Sequence, residues 1–298
     1  MYLTRKQAFS VLLLKNADLN QIMIKRTVTV TPNTSLLDAR DVLLRHKLKR
    51  LIVIDSKNHP VGIITEKDIA KTVYSLGDKS IKTVKVGGFM SKDLKTVKKD
   101  ASVYDCAKLM KRYKISSVIV LNDDKTLAGL VTKTDLASIF LTQTTSPLKV
   151  SKIMTRRVIT AMPGDSLLFV ESLLINNRIS RIVVQRNRKP VGIITYRDFV
   201  PAKLPHWIAE SADPKEVERY RMGLHPTEFV ANQMSHLMHF KAVDIMSVNP
   251  ITVDADEDVG TAVLLMIRNG ISGLPVVKNS NLVGIITKAD IVKAIAEK

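Results

Sequence analysis

A threonine followed three residues later by an aspartate recurs four times in this chain, always after a glycine and two apolar residues. The pairs are Thr65/Asp68, Thr132/Asp135, Thr195/Asp198 and Thr287/Asp290. A threonine at the start of a helix can cap its first turn while the acid caps the threonine in return, which requires no ligand. The same helix end presents unpaired N–H groups to a phosphate, and a carboxylate there can accept ribose hydroxyls. The pattern therefore indicates a structural cap, ribose-phosphate binding, or both at one position.

The glycine three residues before each threonine has no Cβ, which would let a ligand come close to the backbone. Four methionines precede the four pairs, at Met23, Met90, Met154 and Met246, and the residue 27 positions after each of them is also informative. In order along the chain it is Arg50, Ser117, Arg181 and Gly273. A guanidinium matches the oxygens of a phosphate, although an arginine that begins a strand is often only a solvated edge residue.

The four copies align without a gap for 27 residues when the methionines are superposed: Met23, Met90, Met154 and Met246. Good helix N-cap residues follow twelve positions later, at Ser35, Ser102, Ser166 and Asp258. They predict helices over residues 36–46, 103–113, 167–177 and 259–269. Two apolar runs separated by a polar turn follow each helix and predict a hairpin, and each Thr-x-x-Asp then opens another helix. One copy is therefore strand, helix, strand, strand, helix, a unit too small to be stable alone, so we expect copies 1 and 2, and copies 3 and 4, to pair.

Composition limits the classes of protein that fit. The chain has 298 residues, 45% of them apolar, and a formal charge of +18. Residues 1–149 hold 27 basic and 13 acidic residues, so the first half attracts anions more strongly than the second. No apolar run approaches the ~18 residues of a membrane span, and no secretory signal is apparent, so we expect a cytoplasmic protein without a membrane partner. The single cysteine, Cys106, falls in line with apolar helix residues and is expected to be a buried small hydrophobe.

The copies resemble the CBS (cystathionine-β-synthase) motif. The resemblance lies in the Ile-Met lead, in Ile-Ser-Arg-Ile-Val-Val at residues 179–184, in Ile-Ser-Gly-Leu-Pro-Val at residues 271–276, and in the Gly-to-Asp finish. It implies an α/β (α+β) fold of tandem β-α-β-β-α motifs paired into two Bateman modules in a disc-like arrangement. Four motifs without another domain resemble the gamma subunits of AMP-activated protein kinase and their archaeal stand-alone relatives. We place the motifs at residues 1–79, 80–146, 147–200 and 241–298, with a helical insertion at 201–240.

The resemblance also implies nucleotide sites that combine the Asp segment of one motif with strands of its partner. The first site takes Thr132 and Asp135 with Arg50, Lys49 and the backbone near Val28. The second takes Thr287 and Asp290 with Arg181, Ser180 and the backbone near Ile159. The third takes Thr65 and Asp68 with Ser116, Ser117 and Lys95. The fourth takes Thr195 and Asp198 with Ser272 and Ile251. Only the first two have an arginine, so the others should prefer less phosphorylated ligands or stay empty.

Residues 201–240 contain His206, His225, His236 and His239. The last two are three residues apart, but no companion ligands stand at a recognisable spacing, so we expect no metal site.

The motifs of nucleotide-hydrolysing, dinucleotide-binding and nucleophile-elbow enzymes are missing from the sequence, and no catalytic cofactor is expected. We expect a non-enzymatic regulatory protein of the energy-sensing type. It would bind AMP, ADP or ATP between paired motifs, signal to an unidentified partner protein, and form a homodimer through its CBS modules. An S-adenosylmethionine sensor is an alternative, although a sulfonium cation gains nothing from arginines. A third interpretation is a basic nucleic-acid-binding or scaffold protein with vestigial ligand sites, which would use the seven lysines of residues 79–99.

Overall fold

A computed structural model describes residues 19–75, 81–143, 147–199 and 240–297. Within them the chain forms four small sheets, each covered by helices, so the predicted fold class of tandem CBS motifs is confirmed. The predicted helical insertion lies outside the described residues except for Phe240, as do its four histidines.

The helices and strands follow the same order in each copy. Copy 1 comprises α1 (Leu19–Ile22), β1 (Thr29–Val30), α2 (Leu36–Arg45), β2 (Arg50–Ile54), β3 (Pro60–Thr65) and α3 (Glu66–Ser75). Copy 2 comprises a 3₁₀ turn (Val86–Gly88), β4 (Thr96–Lys98), α4 (Val103–Arg112), β5 (Ser117–Leu121), β6 (Leu127–Thr132) and α5 (Lys133–Gln143). Copy 3 comprises α6 (Val150–Ile153), β7 (Thr160–Ala161), α7 (Leu167–Asn176), β8 (Arg181–Arg186), β9 (Lys189–Thr195) and a 3₁₀ turn (Tyr196–Phe199). Copy 4 comprises α8 (Ala242–Ile245), β10 (Ser247–Val248), β11 (Val253–Asp254), α9 (Val259–Arg268), β12 (Gly273–Lys278), β13 (Asn281–Thr287) and α10 (Lys288–Ala296).

The three strands that each copy contributes to its own sheet form one parallel and one antiparallel pairing, and the register repeats from copy to copy. The first strand runs parallel to the second, as in Thr29 opposite Ile52, because a helix connects them. The second and third strands form a hairpin in which Arg50 lies opposite Thr65. The equivalent antiparallel pairs are Ser117/Thr132, Arg181/Thr195 and Gly273/Thr287. The hairpin therefore places the position 27 residues after the lead methionine directly beside the Thr of the same copy.

The helix between the first two strands begins where the sequence predicts it. The N-cap side chains of Ser35, Ser102, Ser166 and Asp258 each accept a bond from a backbone N–H in the first turn. Each helix is followed by a residue in the left-handed region, with φ between 50° and 65°: Lys47, Lys114, Arg178 and Gly270. The chain needs this conformation to turn back into the second strand, although only the last of the four is a glycine.

The described chain divides into two compact units. The even unit consists of Met1–Thr27, Lys95–Val158 and Pro250–Lys298, and it holds the sheets of copies 2 and 4. The odd unit consists of Val28–Leu94 and Ile159–Asn249, and it holds the sheets of copies 1 and 3. In the even unit α10 packs against α4 and α5, and one continuous apolar core joins the two copies. In the odd unit each copy has its own buried cluster. The predicted motif boundaries stay predictions.

The segment around each lead methionine, which we call the lead segment, belongs to the sheet of the paired copy. In the even unit Ile24 bridges Leu130, and Thr155 bridges Ile285. In the odd unit Ser91 bridges Ile63, and β10 pairs with β9 of copy 3. Copies 1 and 2 therefore exchange lead segments, as do copies 3 and 4, which is the pairing expected from the sequence.

The last helix of copy 3 differs from its counterparts. The Thr-x-x-Asp sequences of copies 1, 2 and 4 open helices of nine to eleven residues, whereas Tyr196–Phe199 is a single 3₁₀ turn at the end of a described range. Pro201 follows in the sequence, and a proline disfavours the helical conformation in the residue before it.

Cys106 is fully buried on α4, and burial raises the pKa of its thiol to about 12, so it behaves as the predicted small hydrophobe. None of the helices in the described ranges has both the length and the apolar character that crossing a bilayer requires.

Candidate functional site

The four Thr–Asp pairs share one geometry. In each copy both the backbone N–H and the hydroxyl of the threonine donate to the same carboxylate oxygen, Oδ2, at 2.7–2.9 Å. We call Oδ2 the inner oxygen and Oδ1 the outer oxygen. The inner oxygen already accepts two hydrogen bonds, so a ligand would donate mainly to the outer oxygen. From the sequence, either oxygen of the carboxylate could accept the ribose hydroxyls. The observed hydrogen bonds leave the outer oxygen as the main acceptor for a ligand.

An ordinary helix cap in the same chain has the same inner geometry. Ser102 donates from its hydroxyl and its N–H to Oδ2 of Asp105 at 2.6 and 3.1 Å, and Asp105 N–H donates back to the serine at 3.1 Å. Asp105 is exposed on α4 and is not among the predicted site residues. Capping alone therefore explains the inner oxygen of each Thr–Asp pair, and the distinguishing features must lie at the outer oxygen.

The glycine that precedes each pair faces a methionine of the paired copy. A Cβ on Gly284 would lie 2.6 Å from the sulfur of Met154, and a Cβ on Gly129 would lie 3.1 Å from the sulfur of Met23. Gly62 faces Met90 and Gly192 faces Met246 in the same way. The glycine was expected to admit a ligand to the backbone. Its observed role is to seat the lead methionine of the paired copy.

The residue after each lead methionine lies beside the paired Thr–Asp helix end. In copy 3 this residue is Thr155, whose hydroxyl donates to the outer oxygen of Asp290 at 3.1 Å. Thr155 was not identified from the sequence. The signal was present, however, because three of the four residues at this position carry a hydroxyl: Ser91, Thr155 and Ser247.

The predicted arginines lie at strand starts within the odd unit. Arg50 and Arg181 are half-buried, opposite Thr65 and Thr195 of their own copies. Asp135 and Asp290 belong to the even unit. The combinations of Arg50 with Asp135 and of Arg181 with Asp290 therefore stay predictions.

Residues that flank the arginine position support the helix ends through their backbone. The carbonyls of Lys49, Ser116 and Ser272 accept bonds at 3.1–3.2 Å from the first N–H groups of α3, α5 and α10. These three predicted site residues thus lie at the Thr–Asp helix end of their own copy.

The predicted first-strand residues have different surroundings. Val28 and Ile159 are partly buried against the clusters of copies 1 and 3, whereas Ile251 is exposed. The ammonium of Lys95 lies 4.3 Å from the ring centre of Tyr113.

Lys95 is part of a basic surface around α4. Lys108 lies 4.3 Å from the ring centre of Tyr104, and Arg112 lies 5.4 Å from that of Tyr113. The two rings come from α4 and from the residue that follows it. Cations stacked on aromatic faces form a surface suited to anions.

In the described part of the chain, no cluster of three or more His, Cys, Asp or Glu side chains could hold a metal ion.

A family model for the CBS domain matches the chain four times, over residues 19–75, 86–142, 150–204 and 242–297. Protein MJ1404 of Methanocaldococcus jannaschii is 28% identical over 289 residues, which cover 96% of this chain but 63% of that protein. This chain thus spans less than two thirds of that relative. Protein MJ1225 of the same organism is 26% identical over 289 residues, covering 91% of this chain and 96% of that protein.

Solved structures show the same architecture. The crystal structure of MJ1225, described as a candidate archaeal homologue of gamma-AMPK, matches 94% of this chain and all of that chain with a TM-score of 0.77 at 24% identity. A Pyrococcus horikoshii protein matches the same shares with a TM-score of 0.61 at 19% identity. The four family matches together account for most of the sequence and coincide with the four sheets of the structure. This chain is a member of the CBS domain family with four CBS motifs.

Proposed function

We propose that this protein is a non-enzymatic regulator that binds adenine nucleotides (AMP, ADP or ATP) at its Thr–Asp helix ends and signals to a partner protein. The observation that carries the proposal is a carboxylate repeated in all four CBS motifs, whose outer oxygen is not engaged by the capping threonine. A ribose needs a fixed acceptor, and the helix start favours the phosphate that follows it. The four tandem CBS motifs support a regulatory role.

The preferred sites combine Asp135 with Arg50 and Asp290 with Arg181. The support is chemical. These sites would have a guanidinium for the phosphate as well as a carboxylate for the ribose. In the same combination of paired copies, the sites of Asp68 and Asp198 receive no arginine from the paired copy and should bind less phosphorylated ligands more weakly.

A thermal-shift screen with adenosine, AMP, ADP, ATP and S-adenosylmethionine tests the ligand class. A ligand at 100 times its Kd should stabilise the protein by about 2.7 kcal/mol. We expect shifts with the nucleotides, and a smaller nucleotide shift in Arg50→Ala. Arg45→Ala, an exposed arginine at the end of α2 in the same copy, is the matched control. A shift with S-adenosylmethionine alone, or no shift with any compound, would refute the proposal.

Regulation would follow from linkage. A nucleotide can change the affinity for a partner only by the difference between its affinities for the two conformations involved, typically about 1–3 kcal/mol. Formation of a homodimer through the CBS modules belongs to the same proposal. Sedimentation of the full chain with and without AMP would show whether self-association is linked to the ligand.

The basic surface around α4 favours a second candidate function, binding of single-stranded nucleic acid. Its support is the cluster of Lys95, Lys108 and Arg112 around two tyrosine rings. Fluorescence anisotropy with a labelled oligonucleotide should then show binding that weakens steeply with salt and is reduced in Lys108→Ala. Binding that is insensitive to both would exclude this candidate.

A further inference from the structure

Three exposed apolar side chains lie where α8 joins copy 3 in the odd unit. Met162 stands at the turn before α7, Phe169 in the first turn of α7, and Val243 on α8. They are 66%, 48% and 42% exposed. The N–H of Val243 donates to the carbonyl of Pro163 at 3.0 Å, so α8 is fixed beside that turn. We call Met162, Phe169 and Val243 the junction patch. Exposed apolar residues that occur together mark a contact surface, whereas single ones are ordinary.

The same positions in the other three copies are polar or lack a side chain. The backbone arrangement repeats there, as in the bond from the N–H of Gly87 to the carbonyl of Pro32 at 2.9 Å. Counted from the lead methionines, the equivalent residues are Thr31, Asp38 and Gly87 in copy 1, Lys98, Asp105 and Asn20 in copy 2, and Asp254, Thr261 and Ser151 in copy 4. The repeat therefore does not require an apolar surface here, and copy 3 has acquired one.

Phe169 replaces an acid that caps the helix in copies 1 and 2. Asp38 and Asp105 accept a bond from the hydroxyl of their N-cap serine at 2.6 Å. Ser166 accepts the N–H of Phe169 at 3.3 Å, but a phenylalanine cannot complete the reciprocal cap. The ring adds nothing to the start of α7, which indicates that it contacts another part of the molecule or a partner.

A long segment of the chain borders this surface. Residues 200–239 lie outside the described ranges, whereas the gaps between copies 1 and 2 and between copies 2 and 3 are only residues 76–80 and 144–146. The segment leaves copy 3 after Phe199, which is buried in the apolar cluster of that copy. It returns at Phe240, which packs against the same cluster, three residues before Val243. The copy with the apolar surface is thus the copy at which both ends of the long segment are anchored.

We propose that the junction patch is the docking site for residues 200–239 of the same chain. The segment has the composition to fill this role, because it contains large apolar side chains along its length: Leu204, Trp207, Ile208, Phe229 and Leu237. Removing the apolar surface of both partners from water is the driving force for the contact. The proposal goes beyond nucleotide binding and does not depend on it.

Limited trypsin digestion of the full chain, with the cut sites identified by mass spectrometry, tests the proposal. The segment offers four sites, after Lys203, Lys215, Arg219 and Arg221.

Two substitutions give the junction patch the residues of other copies. Phe169→Asp copies the acid of copies 1 and 2, and Met162→Asp copies the acid of copy 4. Each should speed cleavage within residues 200–239 by about 10-fold or more, because loss of a buried apolar contact raises the population of the undocked segment. Ile175→Lys is the matched control. It replaces another exposed apolar residue of α7 by the lysine of copy 2, and the cleavage rate should stay unchanged.

Cleavage of residues 200–239 at the wild-type rate in either patch variant would overturn the proposal. So would equal acceleration by Ile175→Lys, because the effect would then be a general loss of stability. Sedimentation of the same proteins identifies a different occupant. If the wild type is a dimer that Phe169→Asp dissociates while cleavage is unchanged, a second copy covers the patch and the proposal is wrong. No nucleotide is present in these measurements, so a failure here leaves the proposed function untouched.

Discussion

At the scale of single residues, each Thr–Asp pair combines a helix cap with a proposed ligand contact on different oxygens of one carboxylate. The inner oxygen has the same bonds as in the ordinary Ser102/Asp105 cap. The outer oxygen of Asp290 instead receives a hydroxyl from another copy. A motif that stabilises a helix can therefore also bind a ligand without a change in its backbone.

This separation predicts different consequences for two equivalent substitutions. Asp105→Asn and Asp290→Asn each weaken a reciprocal cap, and each should lower the free energy of unfolding by about 0.5–2 kcal/mol. Only Asp290→Asn should also reduce stabilisation by AMP. Urea denaturation with and without AMP measures both effects, and an equal loss of AMP stabilisation in the two variants would contradict this account.

A second residue-scale prediction concerns Glu171 on α7. Burial raises the pKa of this carboxyl above its ordinary value of 4.5. Burial, and then the charge of Glu171, raise the pKa of the Tyr196 hydroxyl. Below pH 4.5 the carboxyl is protonated in both the folded and the unfolded state, so its ionisation does not lower the free energy of unfolding there. As the pH rises from 4.5 through the folded-state pKa, the unfolded state ionises more readily than the folded state, and the free energy of unfolding falls.

Glu171→Gln should therefore be more stable than wild type at neutral pH, with the difference shrinking toward acid. Denaturation curves for both proteins from acid to neutral pH measure it. The exposed Glu257→Gln serves as control. A Glu171→Gln advantage that grows toward acid would show that the sign is wrong.

At the scale of the elements, each lead segment packs on the sheet of the paired copy. The methionine of each lead segment occupies the space left by a glycine on the partner sheet, and the next residue pairs with that sheet. The self-alignment of the sequence revealed the glycines and methionines as separate marks of the repeat. It did not show that they contact each other, because an internal repeat specifies each copy and leaves the contacts between copies open.

The single residues with a left-handed backbone conformation that follow the helices illustrate another limit of prediction from sequence. Helix starts were predictable because Ser and Asp are chemically suited to the N-cap, and all four are confirmed. Three of the four residues with a positive φ after these helices are Lys47, Lys114 and Arg178, and residues of these types give no local signal for that conformation. The connection to the second strand imposes the conformation there.

The contact between a lead segment and the glycine of the paired sheet predicts that alanine at this glycine lowers the free energy of unfolding. A Cβ on Gly129 would lie 2.8 Å from the backbone carbonyl oxygen of Ile24, which cannot move without disturbing the strand bridge. Gly129→Ala should therefore lower the free energy of unfolding by about 1–3 kcal/mol.

Gly164→Ala is the matched control, because a Cβ there would meet no atom within 4 Å. Chemical denaturation of both variants measures the difference. Equal stability of the two variants would mean that the glycine does not seat the lead segment.

At the scale of the whole molecule, four similar copies have acquired different chemical properties. The first half of the chain carries most of the net positive charge. The position 27 residues after the lead methionine holds an arginine only in copies 1 and 3, and the residue after the lead methionine is Ile, Ser, Thr and Ser in turn. The repeat predicted the fold and the four Thr–Asp pairs. It did not predict Thr155, because the role of that residue depends on which copy receives each lead segment.

The central claim is that the ribose of an adenine nucleotide binds at the outer oxygen of a Thr–Asp pair. A crystal structure of the protein with AMP tests this most directly. The account predicts a ribose hydroxyl within about 2.5–3.0 Å of the outer oxygen of Asp290 or Asp135. A nucleotide bound with its ribose remote from all four Thr–Asp pairs would contradict it.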